Sequence, residues 1–198
     1  MYIIWKLISL PAVLLLTAAI AAAVTLNPTD DAFISEQNHS TNYGSQNFLM
    51  IGHTGLYNNS LLKFDLSAYA GETVEYAELR LYVYYLGTTS NFLIARNTED
   101  WSESSVTWNT CPSFTDELSI TGPQVEEEYW VIDVTGVVQG FLNGSYENYG
   151  FHLTKDNPLD GFVYIFSKEY SGNYPELDIT FASSLESTTL GAIKAAFQ

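Results

Sequence analysis

Basic side chains are scarce in this chain: 7 Lys and Arg stand against 23 Asp and Glu, for a formal net charge of −16. A surface this acidic repels nucleic acid and other polyanions, because steering follows the summed field. Nucleic acid is therefore not an expected partner. Cysteine is scarcer still. Cys111 is the only one, so an intrachain disulfide is impossible and the fold must rest on its core, with or without metal. An exported domain of that kind suits a bacterium or archaeon better than a eukaryotic disulfide scaffold. In the turn Asn109-Thr110-Cys111-Pro112 the thiol reads as free and at least half-buried; pairing between chains is the other option. His39, His53 and His152 lie far apart with neither a helical pair nor Cys/His spacing, which argues against zinc. Nucleophile elbows, phosphate loops and dinucleotide fingerprints are all missing. Glu103 and Glu169 are the carboxylates to suspect if the chain cleaves glycosides. The expectation is that it is not an enzyme.

What the chain does have begins with an apolar leader. Lys6 precedes an apolar run from Leu7 to Ile20, and Ala21-Ala22-Ala23 supplies small residues. This is the pattern of a signal peptide over residues 1–23, forming a signal helix, with cleavage near Ala23. Uncleaved, Ile3 to Val24 is roughly long enough to span a bilayer, which takes about 20 residues, and would be the chain's only membrane contact. The expected location is thus secreted, extracellular or on the cell surface. Apolar residues make up 46% of the sequence, too many for disorder.

Apolar and polar residues then alternate at a period of two, the mark of strands with one face in a core and one in water. The pattern predicts strands near Ala32–Glu36, Phe48–Ile51, Leu61–Leu66, Val74–Tyr85, Asn91–Arg96, Tyr129–Val134, Gly150–Thr154, Phe162–Ser167 and Glu176–Phe181. Gly, Asn, Asp and Pro clusters separate them. So many short strands without helical periods predict an all-β fold, an antiparallel β-sandwich or jelly roll. One short helix is expected from Val134 to Leu142, with Thr135 as its cap and Asn143-Gly144 as its stop. Residues 182–198 read as a linker and short tail.

Two kinds of site suggest themselves. If Ala77, Leu79, Leu81, Val83 and Tyr85 face the core, then Arg80, Tyr82 and Tyr84 line an outer face beside Glu78, a platform for the apolar face and hydroxyls of a sugar. Trp101 and Trp108 read instead as braces for a loop. For metal, a structural Ca²⁺ is the candidate cofactor, held by Asp30 and Asp31 entering the first strand and Asp178 on the last. Asp156 and Asp160, bracketing Asn157-Pro158-Leu159, offer a second oxygen-rich loop.

Several fragments occur in a telling order: Asp31-Ala32-Phe33-Ile34, Asn42-Tyr43-Gly44, Leu62-Lys63-Phe64-Asp65-Leu66, Ala77-Glu78-Leu79-Arg80-Leu81-Tyr82, Trp101-x-Glu103-x-x-Val106-Thr107-Trp108, Asp133-Val134-Thr135, Asn148-Tyr149-Gly150-Phe151, Phe166-Ser167-Lys168-Glu169 and Pro175-Glu176-Leu177. This order resembles the DNRLRE domain family, which overlaps the family 96 carbohydrate-binding modules and the disaggregatase-related domains. The resemblance covers roughly Pro28 to Phe181. It implies a non-catalytic β-sandwich of exported proteins, with extracellular polysaccharide or cell-surface components as partners. It leaves two functions open: carbohydrate binding, or a structural subunit of a matrix, wall or filament without a sugar ligand.

Overall fold

The computed structural model describes residues 22–52, 55–87, 91–155, 157 and 161–183. The leader, most of the tail, His53, Asp156 and Asp160 lie outside the described residues, and with them the expected signal helix and the second acidic loop. Residues Ala22–Ala182 form one compact unit. It contains eleven described strands and one α-helix. The strands are β1 (Ala23–Leu26), β2 (Asp30–Ser35), β3 (Phe48–Gly52), β4 (Asn58–Lys63), β5 (Val74–Leu86), β6 (Asn91–Asn97), β7 (Phe114–Thr121), β8 (Glu128–Asp133), β9 (Phe151–Thr154), β10 (Phe162–Phe166) and β11 (Glu176–Phe181). The helix α1 spans Thr135–Leu142. Among the described residues no helix is long and apolar enough to cross a membrane.

Every described pairing is antiparallel. The first sheet runs β1-β11-β5-β10-β3, with β8 also on β5, and the second runs β2-β4-β9-β6-β7. Alternate residues of the two meet in one core. Leu79, Leu81, Val83, Val163, Ile165, Leu177 and Ile179 come from the first sheet, and Phe33, Leu62, Phe92, Phe151 and Leu153 from the second. The fold is the expected all-β sandwich with one short helix.

The second sheet is covered on both faces over β2 and β4. Ala32, Ile34 and Leu61 point away from the main core and pack under Trp101 and Val106, with Trp108 and Cys111 at the rim. Five of the six residues of β4 are buried as a result. The indole N–H of Trp101 donates to the Tyr149 carbonyl at 2.8 Å, giving the buried ring its one required partner. Both tryptophans therefore brace the segment, as their setting suggested. Cys111 is a free thiol, and burial pushes it up to about 11, well away from reactivity.

Gly150 opens β9 at φ +81°, and a Cβ there would overlap the Leu62 carbonyl of neighbouring β4. Gly150→Ala should thus add backbone strain to a steric clash and lower unfolding stability by about 3 kcal/mol or more, measured by urea denaturation. An unchanged midpoint would show that the two strands can part freely.

Three local expectations need correction. Thr135 is the first helical residue, not the cap. The cap is Val134, and the Thr135 hydroxyl instead accepts the Ala77 N–H at 3.0 Å, tying the helix to β5. Tyr85 is not in the core: it is 46% exposed. A register shift between Tyr164 and Ile165 lets β10 pair with Tyr85 and Val83 but skip Tyr84, a β-bulge that turns the rest of β5 over and brings Leu86 against the core. Finally, β1 and β7 add two strands to those expected.

Candidate functional site

The bulge shapes the outer face of the first sheet. From Ala77 to Val83, β5 alternates strictly and aims Arg80 and Tyr82 outward. Beyond it, Tyr84 and Tyr85 both lie outward, where strict alternation would place only one. From β10 the sequence Phe162-Val163-Tyr164-Ile165-Phe166 sends three rings to the same side, leaving Val163 and Ile165 inside. Tyr129 of β8 stands opposite Tyr82, with ring centroids 5.2 Å apart and planes nearly perpendicular.

These rings form a continuous array. Phe166 lies parallel to Tyr84 at 4.8 Å and to Tyr82 at 5.6 Å, and Tyr170 stacks on Phe166 at 3.5 Å. Tyr164 links Tyr84 at 5.8 Å to Tyr85 at 5.7 Å, and Phe162 follows. Partial burial raises the phenol pKa values of Tyr84, Tyr129 and Tyr164, so each keeps its O–H donor through neutral pH. Arg80 sits at the array's end. Its guanidinium lies 4.7 Å from the Tyr129 ring centre and donates to Asp178 at 2.9 Å. The neighbouring Glu176 is 3.8 Å from Nε, too far for a hydrogen bond, and Nε is buried without one.

The structure therefore brings Arg80, Tyr82 and Tyr84 onto one face. Sequence reasoning missed Tyr129, Phe162, Tyr164, Phe166, Tyr170 and the turn of Tyr85. The signal for β10 was present as three aromatics at a spacing of two. Tyr85 could not be found that way, because a bulge leaves no trace in an apolar-polar pattern.

The metal candidates separate. Asp178 belongs to the first sheet, where it accepts from Arg80 and from the Thr25 hydroxyl at 2.5 Å. Asp30 and Asp31 belong to the second. Sandwich ends need not share an edge, and here the edge beside β11 is taken by β1. Asp31 instead meets two residues far away in sequence: its carboxylate, that of Glu103 and that of Glu169 each place an oxygen within 4.8 Å of the others. Lys168 joins them, with Nζ 3.0 Å from Glu103 Oε1 and 2.8 Å from Glu169 Oε1. Glu103 Oε1 accepts the Asp31 N–H at 2.9 Å, and Asp31 Oδ2 accepts the Lys168 N–H at 2.7 Å. Burial pushes the Asp31 carboxyl up to about 8; the Lys168 N–H opposes this, and Glu169 and Glu103 reinforce it. Burial works against the Lys168 charge, but its bonds to Glu169 and Glu103 prevail and leave it above the ordinary lysine value.

Two antiparallel sheets around a shared core, with rings laid along one outer face, define a β-sandwich module. The model of carbohydrate-binding module family 96 matches residues 22–181, and the chain belongs to that family. The chain is also similar to a gellan lyase from a Bacillus species, 26% identical over 171 residues. That alignment covers 81% of this chain but 7% of the relative, so the chain spans a small fraction of the relative's length.

Proposed function

We propose that this chain is a secreted, non-catalytic module that binds neutral polysaccharide along the aromatic outer face of the first sheet. The observation that carries the reading is the bulge in β5, which sets Tyr84 and Tyr85 beside Tyr82, Tyr164 and Phe166 on one surface. Half-exposed rings with retained hydroxyls offer apolar contact and hydrogen bonds together, the combination a sugar presents in return. Family membership supports carbohydrate as the ligand class.

Charge supports a neutral polymer. Lys63 pairs with Asp100, Arg80 with Asp178, Arg96 with Asp116, and Lys168 with Glu103 and Glu169. Lys155 is buried, its ammonium over the Phe92 ring. Every described basic side chain is thus committed within the fold, and a polyanion would meet uncompensated carboxylates. Glu103 and Glu169 are unsuited to acid–base chemistry: one braces the Asp31 backbone and both are held by Lys168.

Affinity electrophoresis against neutral glucans, xylans and mannans, and against alginate and gellan, tests this. A neutral polymer should retard the protein. Tyr84→Ala and Tyr85→Ala should each weaken that retardation by about tenfold, equivalent to ~1.4 kcal/mol. Retardation by the anionic polymers alone would overturn the charge argument, and wild-type affinity in both variants would overturn the face. Self-association without any sugar retention would favour a structural subunit.

A further inference from the structure

We propose that Asp31, Glu103 and Glu169 form a site for one divalent cation of the calcium kind, which clamps the two sheets together. The three side chains come from β2, from the tryptophan-bearing segment over the second sheet, and from the loop after β10 of the first. Their convergence within 4.8 Å is a product of the fold alone.

An acidic cluster by itself says little, but Asp31 adds a second observation. The residue is 1% exposed, and its Oδ1 is buried with no hydrogen-bond partner. An orphaned carboxylate oxygen is costly to bury, and native structures rarely leave one. Oδ2 is already occupied by the Lys168 N–H, so turning the carboxyl over would only exchange one orphan for another. A cation beside Oδ1 removes the cost directly.

Charge points the same way. An entering divalent ion would take the place of the proton that burial holds on Asp31. The three carboxylates against the Lys168 ammonium then leave an excess of two negative charges, the amount that ion cancels. The donors are all hard oxygens, which suits Ca²⁺ over softer metals, and the tolerance of Ca²⁺ for irregular geometry suits an outer Glu169 that can adjust. Lys168 now bridges Glu103 and Glu169. Its long side chain is partly exposed and can swing into solvent as the ion enters.

The test uses the full chain, stripped with EDTA and titrated with CaCl₂ by calorimetry, with melting followed in parallel. One binding event is expected, with Tm raised by roughly 5–10 °C once free Ca²⁺ is about a hundredfold above Kd. Asp31→Asn should abolish both signals, and Glu169→Gln, on the exposed side, should weaken binding by about tenfold or more. Lys168→Met should tighten it by removing the resident cation. Absence of heat and an unmoved Tm in the wild type would overturn the proposal; so would undiminished Ca²⁺ affinity in Glu169→Gln, a variant that remains informative if Asp31→Asn fails to fold. Sugar retention plays no part in these readouts, so the site stands or falls apart from the binding face.

Discussion

Trp101→Ala should lower unfolding stability by about 3–5 kcal/mol, the largest loss expected of any single substitution outside the main core. The indole is 7% exposed and roofs Ala32, Ile34 and Leu61, so truncation opens a cavity over β2 and β4. It also strips the Tyr149 carbonyl of its indole donor and removes the ring that Lys63 Nζ approaches at 4.9 Å. Trp108 lies at the rim of the same cluster, so Trp108→Ala should cost about 1 kcal/mol. Urea denaturation of the two variants side by side is the check. Equal losses would mean that the segment is held by its backbone and not by Trp101. Variants that stay folded should retain their polysaccharide affinity, because the second sheet's cover is not part of the proposed binding face.

The second large effect is on pH dependence. His152 on β9 is fully buried, with Nδ1 3.1 Å from Asn97 Oδ1, a ring stacked on Phe114 at 3.9 Å, and Nε2 without a partner. Burial pushes its pKa down to about 3, against 6.5 for the exposed group. Below pH 6.5 the unfolded chain takes up a proton on this group that the folded chain refuses, so the contribution of His152 to stability falls with falling pH. The fall should continue to about pH 3, where the folded protein protonates too, and should total a few kcal/mol. His152→Gln should remove this slope whatever it does to stability at neutral pH. Asp31, held protonated by burial, contributes the opposite slope over the same range, so the readout is the difference between the two proteins. Identical pH dependence of the unfolding free energy in wild type and His152→Gln from pH 6.5 to 4 would show that water reaches the ring.

How much of this was legible in the sequence depended on which force set each element. Nine strands and the helix were visible because burial of one face imposes a period on the residues. β7 escaped because its inner residues, Asp116, Glu117, Leu118 and Ser119, are mostly polar and exposed; this edge strand is set by pairing with β6 and not by burial. β1 escaped for the opposite reason: Ala23-Val24-Thr25-Leu26 continues the apolar run of the leader without a break. Of the binding face, Arg80, Tyr82 and Tyr84 could be read from alternation, whereas Tyr85 needed the bulge. Of the acidic cluster, Asp31 was suspected for metal and Glu103 and Glu169 for catalysis. Nothing local could join them, since the contacts span 72 and 137 residues.

The pairing of β1 with β11 has a mechanical consequence. Ala23 lies opposite Thr180 and Leu26 opposite Leu177, so the folded body is entered and left at one corner. Tension transmitted through polypeptide attached at both points would not shear the pair but unzip it, breaking one rung at a time. A body attached in that way would hang like a bead on a short loop. It should yield first at β1, at low force, while the rings on β5 and β10 keep their places.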